Sequence, residues 1–105
     1  MKIVKGILEF DWDIGNLDKN KIKHDVGNRE AEEVFFDKKR FIFKDKLHSQ
    51  GEERFRILGK TRTGRLLFVV FTVRLEEIRI ISARDVNRKE VGLYEKKIGS
   101  TKIQK

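Results

Sequence analysis

A chain of 105 residues fits one domain and can bury a core without staples. It contains no cysteine, which excludes disulfides, thiolate metal sites and a cysteine nucleophile, and no proline, so no Pro-rich linker divides it. Charged residues make up 40% of the chain and the formal net charge is +8; that excess favours an acidic partner such as nucleic acid, anionic lipid or an acidic protein, the plainer alternative being a Lys-rich soluble surface.

No apolar run approaches the roughly 18 residues of a membrane span, and the first ten residues lack a cleavage-like small-residue site. The expectation is a cytoplasmic location with no membrane association. In chain order, residues 3–10 read as a short first strand. Asp13 is placed to cap a surface helix over residues 14–24. Gly27-Asn28 breaks the chain, and Asn28 caps a second helix over residues 29–36, with Ala31, Val34 and Phe35 at i, i+3, i+4. Residues 41–43 form a short strand.

Three antiparallel strands follow. Residues 53–58 alternate, with Phe55 and Ile57 on one side and Arg54, Arg56 and Leu58 on the other. Residues 66–73 are almost unbroken apolar sequence, the mark of a central strand covered on both faces. A tight return at Leu75-Glu76-Glu77 leads to residues 78–83, where Ile78, Ile80 and Ser82 oppose Arg79, Ile81 and Ala83. Asn87 with Glu90 resembles a capping box that opens a last helix with Val91, Tyr94 and Ile98 as its stripe. The fold class is α+β, helices on an antiparallel sheet, in a single domain over residues 1–98 with a polar tail at 99–105.

Several words of this sequence are familiar together. They are Phe10-Asp11-Trp12-Asp13; Asn20 with Lys23-His24 and Val26; Ala31-Glu32-Glu33-Val34-Phe35; Glu53-Arg54-Phe55; Gly59; residues 66–72; residues 79–84; Arg88 with Glu90; and Tyr94-Glu95. In that order the chain resembles the BrnT family of small toxins from bacterial type II toxin–antitoxin systems. The resemblance implies a RelE-like fold, a small curved antiparallel sheet with two N-terminal helices and one C-terminal helix. It implies a metal-independent endoribonuclease that cleaves RNA (mRNA, either free or ribosome-bound) and so halts translation and growth. It also implies a BrnA-like antitoxin that neutralises the toxin, with operator DNA bound only through the pair. No cofactor is expected. The family usually places Gly after its Lys-His pair; Asp25 stands there, which predicts a different helix end.

RNA cleavage through the 2′-hydroxyl needs a group that takes a proton and cations aimed at the phosphoryl oxygens. His24 is the best tunable group, because histidine ordinarily titrates near neutrality. Asn20, Lys23 and His24 share a helix face at i, i+3, i+4. A helix-terminal histidine that merely suits the helix dipole has the same spacing. Arg54 and Arg79 lie mid-strand on a half-polar face, where a guanidinium fork grips phosphate. Lys23, His24, Arg54 and Arg79 are therefore the expected catalytic set, with Asn20, Glu53, Arg65 and Arg84 as RNA contacts. Glu53 points away from Arg54 by alternation, which weakens it as a base. Arg56 and Arg74 read as structural, His48 as a loop residue, and Trp12 and the phenylalanines, Phe41 and Phe43 among them, as core, the phenylalanines being too strongly placed on apolar faces to form an RNA platform. Two histidines without matched spacing argue against zinc. The competing readings are a non-catalytic basic module that binds RNA or a partner, and a decayed toxin kept for operator regulation.

Overall fold

One antiparallel sheet is laid down in chain order, β1 (Phe41–Lys44), β2 (Phe55–Lys60), β3 (Leu66–Arg74) and β4 (Glu77–Asp85), each strand beside the one before it. The computed structural model describes residues 9–12, 18–45 and 52–103, with side chains as far as residue 96. The expected strand over 3–10 and the Asp13 cap lie almost wholly outside these residues; Phe10 makes a parallel bridge to Ile78 at the outer edge of β4. Two short helices precede the sheet, α1 (Lys19–His24) and α2 (Asn28–Glu33), the latter tightening into a 3₁₀ turn at Val34–Phe36. The last helix, α3 (Arg88–Ile103), continues beyond Ile98 through most of the expected tail.

Two of the expected helix ends differ. Gly27, not Asn28, is the N-cap of α2, and the Glu30 carboxylate reaches back to the Gly27 N–H at 3.0 Å. Asn28 instead pairs with Asp18, each side chain bonding to the other residue and tying the start of α2 to the start of α1. The α1 end keeps the form that the family's glycine would give. Asp25 sits at φ 56°, ψ 37°, and the N–H groups of Asp25 and Val26 return to the Lys21 and Asn20 carbonyls. That is a left-handed, Schellman-type stop, which aspartate tolerates better than most residues.

Apolar alternation splits the interior into two layers. On one face of the sheet Ile57, Leu67, Val69, Phe71, Ile78, Ile80 and Ala83 pack under Val26, Ala31, Val34 and Phe35. Phe35 meets Phe71 edge-on at 4.9 Å, and Trp12 joins this layer while its Nε1 donates to Glu32 at 2.7 Å. On the other face Leu58, Phe68 and Tyr94 form a smaller cluster beneath α3. β3 contributes to both layers, as its unbroken apolar run requires. The expected alternation in β4 fails at one point. A bulge leaves Ile81 without a partner between the Val70–Ser82 and Phe71–Ile80 pairs, so Ala83 turns into the first core and Ser82 to the α3 side.

The sheet face under α3 is pinned through Asp37, which gathers contacts from distant parts of the chain. Tyr94 donates its hydroxyl to Asp37 at 2.5 Å, and Asp37 also accepts the N–H groups of Lys39 and Lys60. Burial pushes the Asp37 carboxyl up, but these three donors outweigh it and hold the group below the ordinary carboxylate range; burial and the same bond raise the Tyr94 phenol. The capping box at the start of α3 forms as its spacing predicts, Asn87 and Glu90 exchanging bonds of 2.9 Å.

Candidate nucleic-acid interface

Strand alternation and register place Arg54, Arg56, Arg79 and Arg84 on one sheet face, the one against which α3 packs Tyr94. The register gives its rows. Phe41, Leu58, Phe68 and Arg84 lie side by side, and next to them Phe43, Arg56, Val70 and Ser82. Arg54 stands one residue ahead of β2, beyond the Phe55–Phe71 pair, so its neighbour across the sheet is Thr72, which pairs in turn with Arg79. Two strand spacings separate Arg54 from Arg79, roughly 10 Å between backbones. Two guanidinium groups can close that span around one phosphate.

Arg79, Arg84 and Arg56 are each oriented by a carboxylate or a ring. Arg79 donates Nε and Nη2 to Asp11 Oδ2 at 3.2 and 2.8 Å. Arg84 makes a two-pronged contact to Glu90, both bonds 2.8 Å, and its guanidinium lies 4.2 Å from the Phe68 ring centroid. Arg56 sits between the Phe43 and Phe68 rings at 5.9 and 5.5 Å. Its Nε is 3.2 Å from the buried Asp45 carboxylate, a charge contact without an aligned hydrogen bond. Glu77 shares this face two residues from Arg79. Burial and the nearby Glu9 and Asp11 carboxylates raise its pKa above the ordinary glutamate value.

The α1 side chains collect elsewhere. The Asn20 side chain is buried, and its Oδ1 accepts the Ala83 N–H at 3.0 Å, so the expected RNA contact is instead a bracket between α1 and the edge of β4. Lys19 adds a second bracket to the Ile81 carbonyl. Arg65, also expected as an RNA contact, is engaged within the fold. It donates to both Asp85 oxygens, to Glu30 and to the His24 and Asp25 carbonyls, which locks the end of α1 to the sheet. Lys23 and His24 are exposed at that corner. From Asp85, beside them, to Arg79 is six residues of β4, roughly 20 Å at the rise of a strand. His24 and the arginine pair expected to converge with it are thus set toward opposite ends of β4, Arg54 and Arg79 sharing a face at one end and the imidazole lying at the other.

Glu53 is exposed and faces Lys44 at 3.6 Å, on the side that alternation assigns it, away from Arg54. His48 lies outside the described residues. Arg74 pairs with Glu52, in keeping with a structural role. The sequence reading missed Asp11, Glu77 and Glu90 as neighbours of the arginines. Glu77 and Glu90 carried a signal, one at i−2 from Arg79 on the same strand and the other in the capping box. Asp11 reaches Arg79 from across the fold. Among the described residues no group of three or more His, Cys, Asp or Glu is placed to hold a metal.

Three paired carboxylates make folding sensitive to acid. The Arg65 bonds draw Asp85 below its ordinary range, and the Arg84 fork and the Asn87 N–H do so for Glu90 against burial. With Asp37 they contribute stability that is present above the unfolded range of about 4 and is lost as pH falls through the lower folded values. The thermal midpoint should therefore drop as pH falls below about 4, and Asp37→Asn should shrink that drop. A midpoint that holds flat across this window would show that the pairs contribute nothing.

A family model described as the ribonuclease toxin BrnT of type II toxin–antitoxin systems matches residues 12–90, from Trp12 to the Glu90 that holds Arg84. Among solved structures the chain is similar to the Brucella abortus ribonuclease toxin BrnT, with a TM-score of 0.59 over 78% of this chain and 100% of that one. Identity there is 18%, so this likeness speaks for the fold. No curated protein sequence matches. With three quarters of its length matched, sheet and arginine face included, the chain belongs to the BrnT family of ribonuclease toxins of type II toxin–antitoxin systems.

Proposed function

We propose that this chain is a RelE-like endoribonuclease toxin that binds RNA across the arginine face of its sheet and cleaves it without a metal, stopping translation and growth in the cytoplasm. The observation that carries the reading is the placement of Arg54 and Arg79 on either side of Thr72, on one face, in a chain of net charge +8. Two forks there hold one phosphodiester and stabilise the charge that builds on its oxygens as the 2′-hydroxyl attacks. Asp11 aims Arg79. Asp11 is taken up by the Arg79 fork, which leaves Glu77, two residues from Arg79 on the same face, as the carboxyl to move a proton at that phosphate. A proton-transfer group must come within hydrogen-bond reach or one water of its target, and His24 is too distant from this phosphate to do so. Lys23 and His24 instead meet the same strand some nucleotides away. A BrnA-like antitoxin covers the face and carries the pair to operator DNA.

Expression of the chain alone should arrest growth and yield new RNA ends in extracts that contain ribosomes. His24→Ala should stay toxic, weakened by no more than about tenfold, as fits loss of one peripheral phosphate contact. Loss of all toxicity in a folded His24→Ala protein would place the chemistry at the α1 corner. A soluble, intact wild type that harms nothing and cleaves nothing would favour the non-catalytic reading.

A further inference from the structure

The sheet face carries rings as well as cations. Phe43 and Phe41 stand two residues apart on β1, facing the same side as Arg54 and Arg56, with ring centroids 5.1 Å apart and planes tilted by 33°. Both are partly exposed, whereas Phe35 and Phe71 are buried. The reading of these two rings as core is thus only half right. They lean on the Leu58–Phe68–Tyr94 cluster and keep part of their surface open.

We propose that Phe43, with Phe41 beside it, is a stacking platform for an unpaired RNA base whose neighbouring phosphate is held by Arg54 and Arg79. Phe43 pairs with Arg56, and Arg54 is one pleat repeat further on the same face, about 7 Å away. That is a distance one nucleotide bridges, from its base to the next phosphate. The Arg56 guanidinium, 5.9 Å from the Phe43 ring, adds a flat cation to the aromatic surface. Single-stranded RNA is recognised by such pairings, bases laid on aromatic rings and on guanidinium planes while cations follow the backbone. An apolar protein segment would gain little from a platform ringed by Arg54, Arg56 and Arg84; a polyanion with stackable bases suits both halves. This inference rests on the RNA-binding reading above and adds that the bases are felt, not only the phosphates.

The test compares two probes that cannot be cleaved, a short 2′-O-methyl oligoadenylate and the same strand made abasic. Wild-type protein should bind the base-bearing strand about tenfold more tightly, as one stacked base contributes. Phe43→Leu, which keeps apolar volume at the site, should bring the two affinities together, and Phe43→Tyr should restore the preference. Equal binding of both strands by the wild type would overturn the platform and leave the phosphate grip standing. So would a preference that survives Phe43→Leu. Failure of the wild type to bind either strand would overturn the RNA-binding reading itself.

Discussion

Arg79→Ala is expected to lower RNA cleavage by about 10²–10³-fold, the loss typical when one preorganised donor is removed from a developing oxyanion. Growth arrest should disappear with it. Arg79 is the right residue to test because its orientation is set twice, by the pleat of β4 and by the Asp11 carboxylate at 2.8 Å. Truncation leaves Asp11 without that fork. Asp11 is partly exposed, and water can solvate it, so the fold should survive; a thermal midpoint within a few degrees of wild type checks this. Glu77→Gln separates binding from chemistry. It removes a negative charge from the face, so RNA affinity should hold or rise while turnover falls by about 10²-fold. If both variants cleave at the wild-type rate, the sheet face is not where the bond breaks.

Gly59→Ala is expected to be the most damaging small change to the fold. Gly59 lies in β2, and a Cβ there would sit 2.8 Å from the Val34 carbonyl oxygen and 3.0 Å from the Val34 Cβ. The neighbour is backbone of the 3₁₀ turn, which cannot swing aside as a long side chain would. Overpacking of this kind costs about 1–3 kcal/mol. In a domain of this size that lowers the melting temperature by about 5–20 °C. Gly92 is the control. It lies in α3 with nothing within 4 Å of where an alanine methyl would stand, so Gly92→Ala should be neutral or stabilise by up to about 1 kcal/mol. Equal melting temperatures for the two variants would show that the sheet and the turn are not packed as closely as described.

Much of the scaffold was legible because its signals are local. Phe55 and Ile57 against Arg54 and Arg56 is a two-residue period, and the strand follows it. Asn87 and Glu90 are three residues apart, and the cap forms. Alternation put Arg54 and Arg79 each on the polar side of its own strand, and the strand register is what sets them on one face. What escaped the sequence depends on contacts between distant segments or on backbone that breaks period. The β4 bulge at Ile81 exchanges Ser82 for Ala83 in the core, and no residue there announces it. Asn20 resembles a polar site residue until the edge of β4 offers it the Ala83 N–H. Arg65 resembles a phosphate ligand until Asp85 and Glu30 close on it. His24 fitted a helix face with Lys23, but face-sharing within α1 says nothing about which end of β4 that helix meets.

The most direct measurement is an NMR titration of the folded protein with a non-cleavable single-stranded RNA, following the arginine Nε–H signals and the His24 ring. Shifts of Arg54 and Arg79 at low RNA, with Arg65 unmoved in its carboxylate lock and His24 moving less, are the expected result. Early, saturating changes at His24 and Lys23 with Arg54 and Arg79 silent would put the nucleic acid on the α1 corner and contradict the assignment of the sheet face.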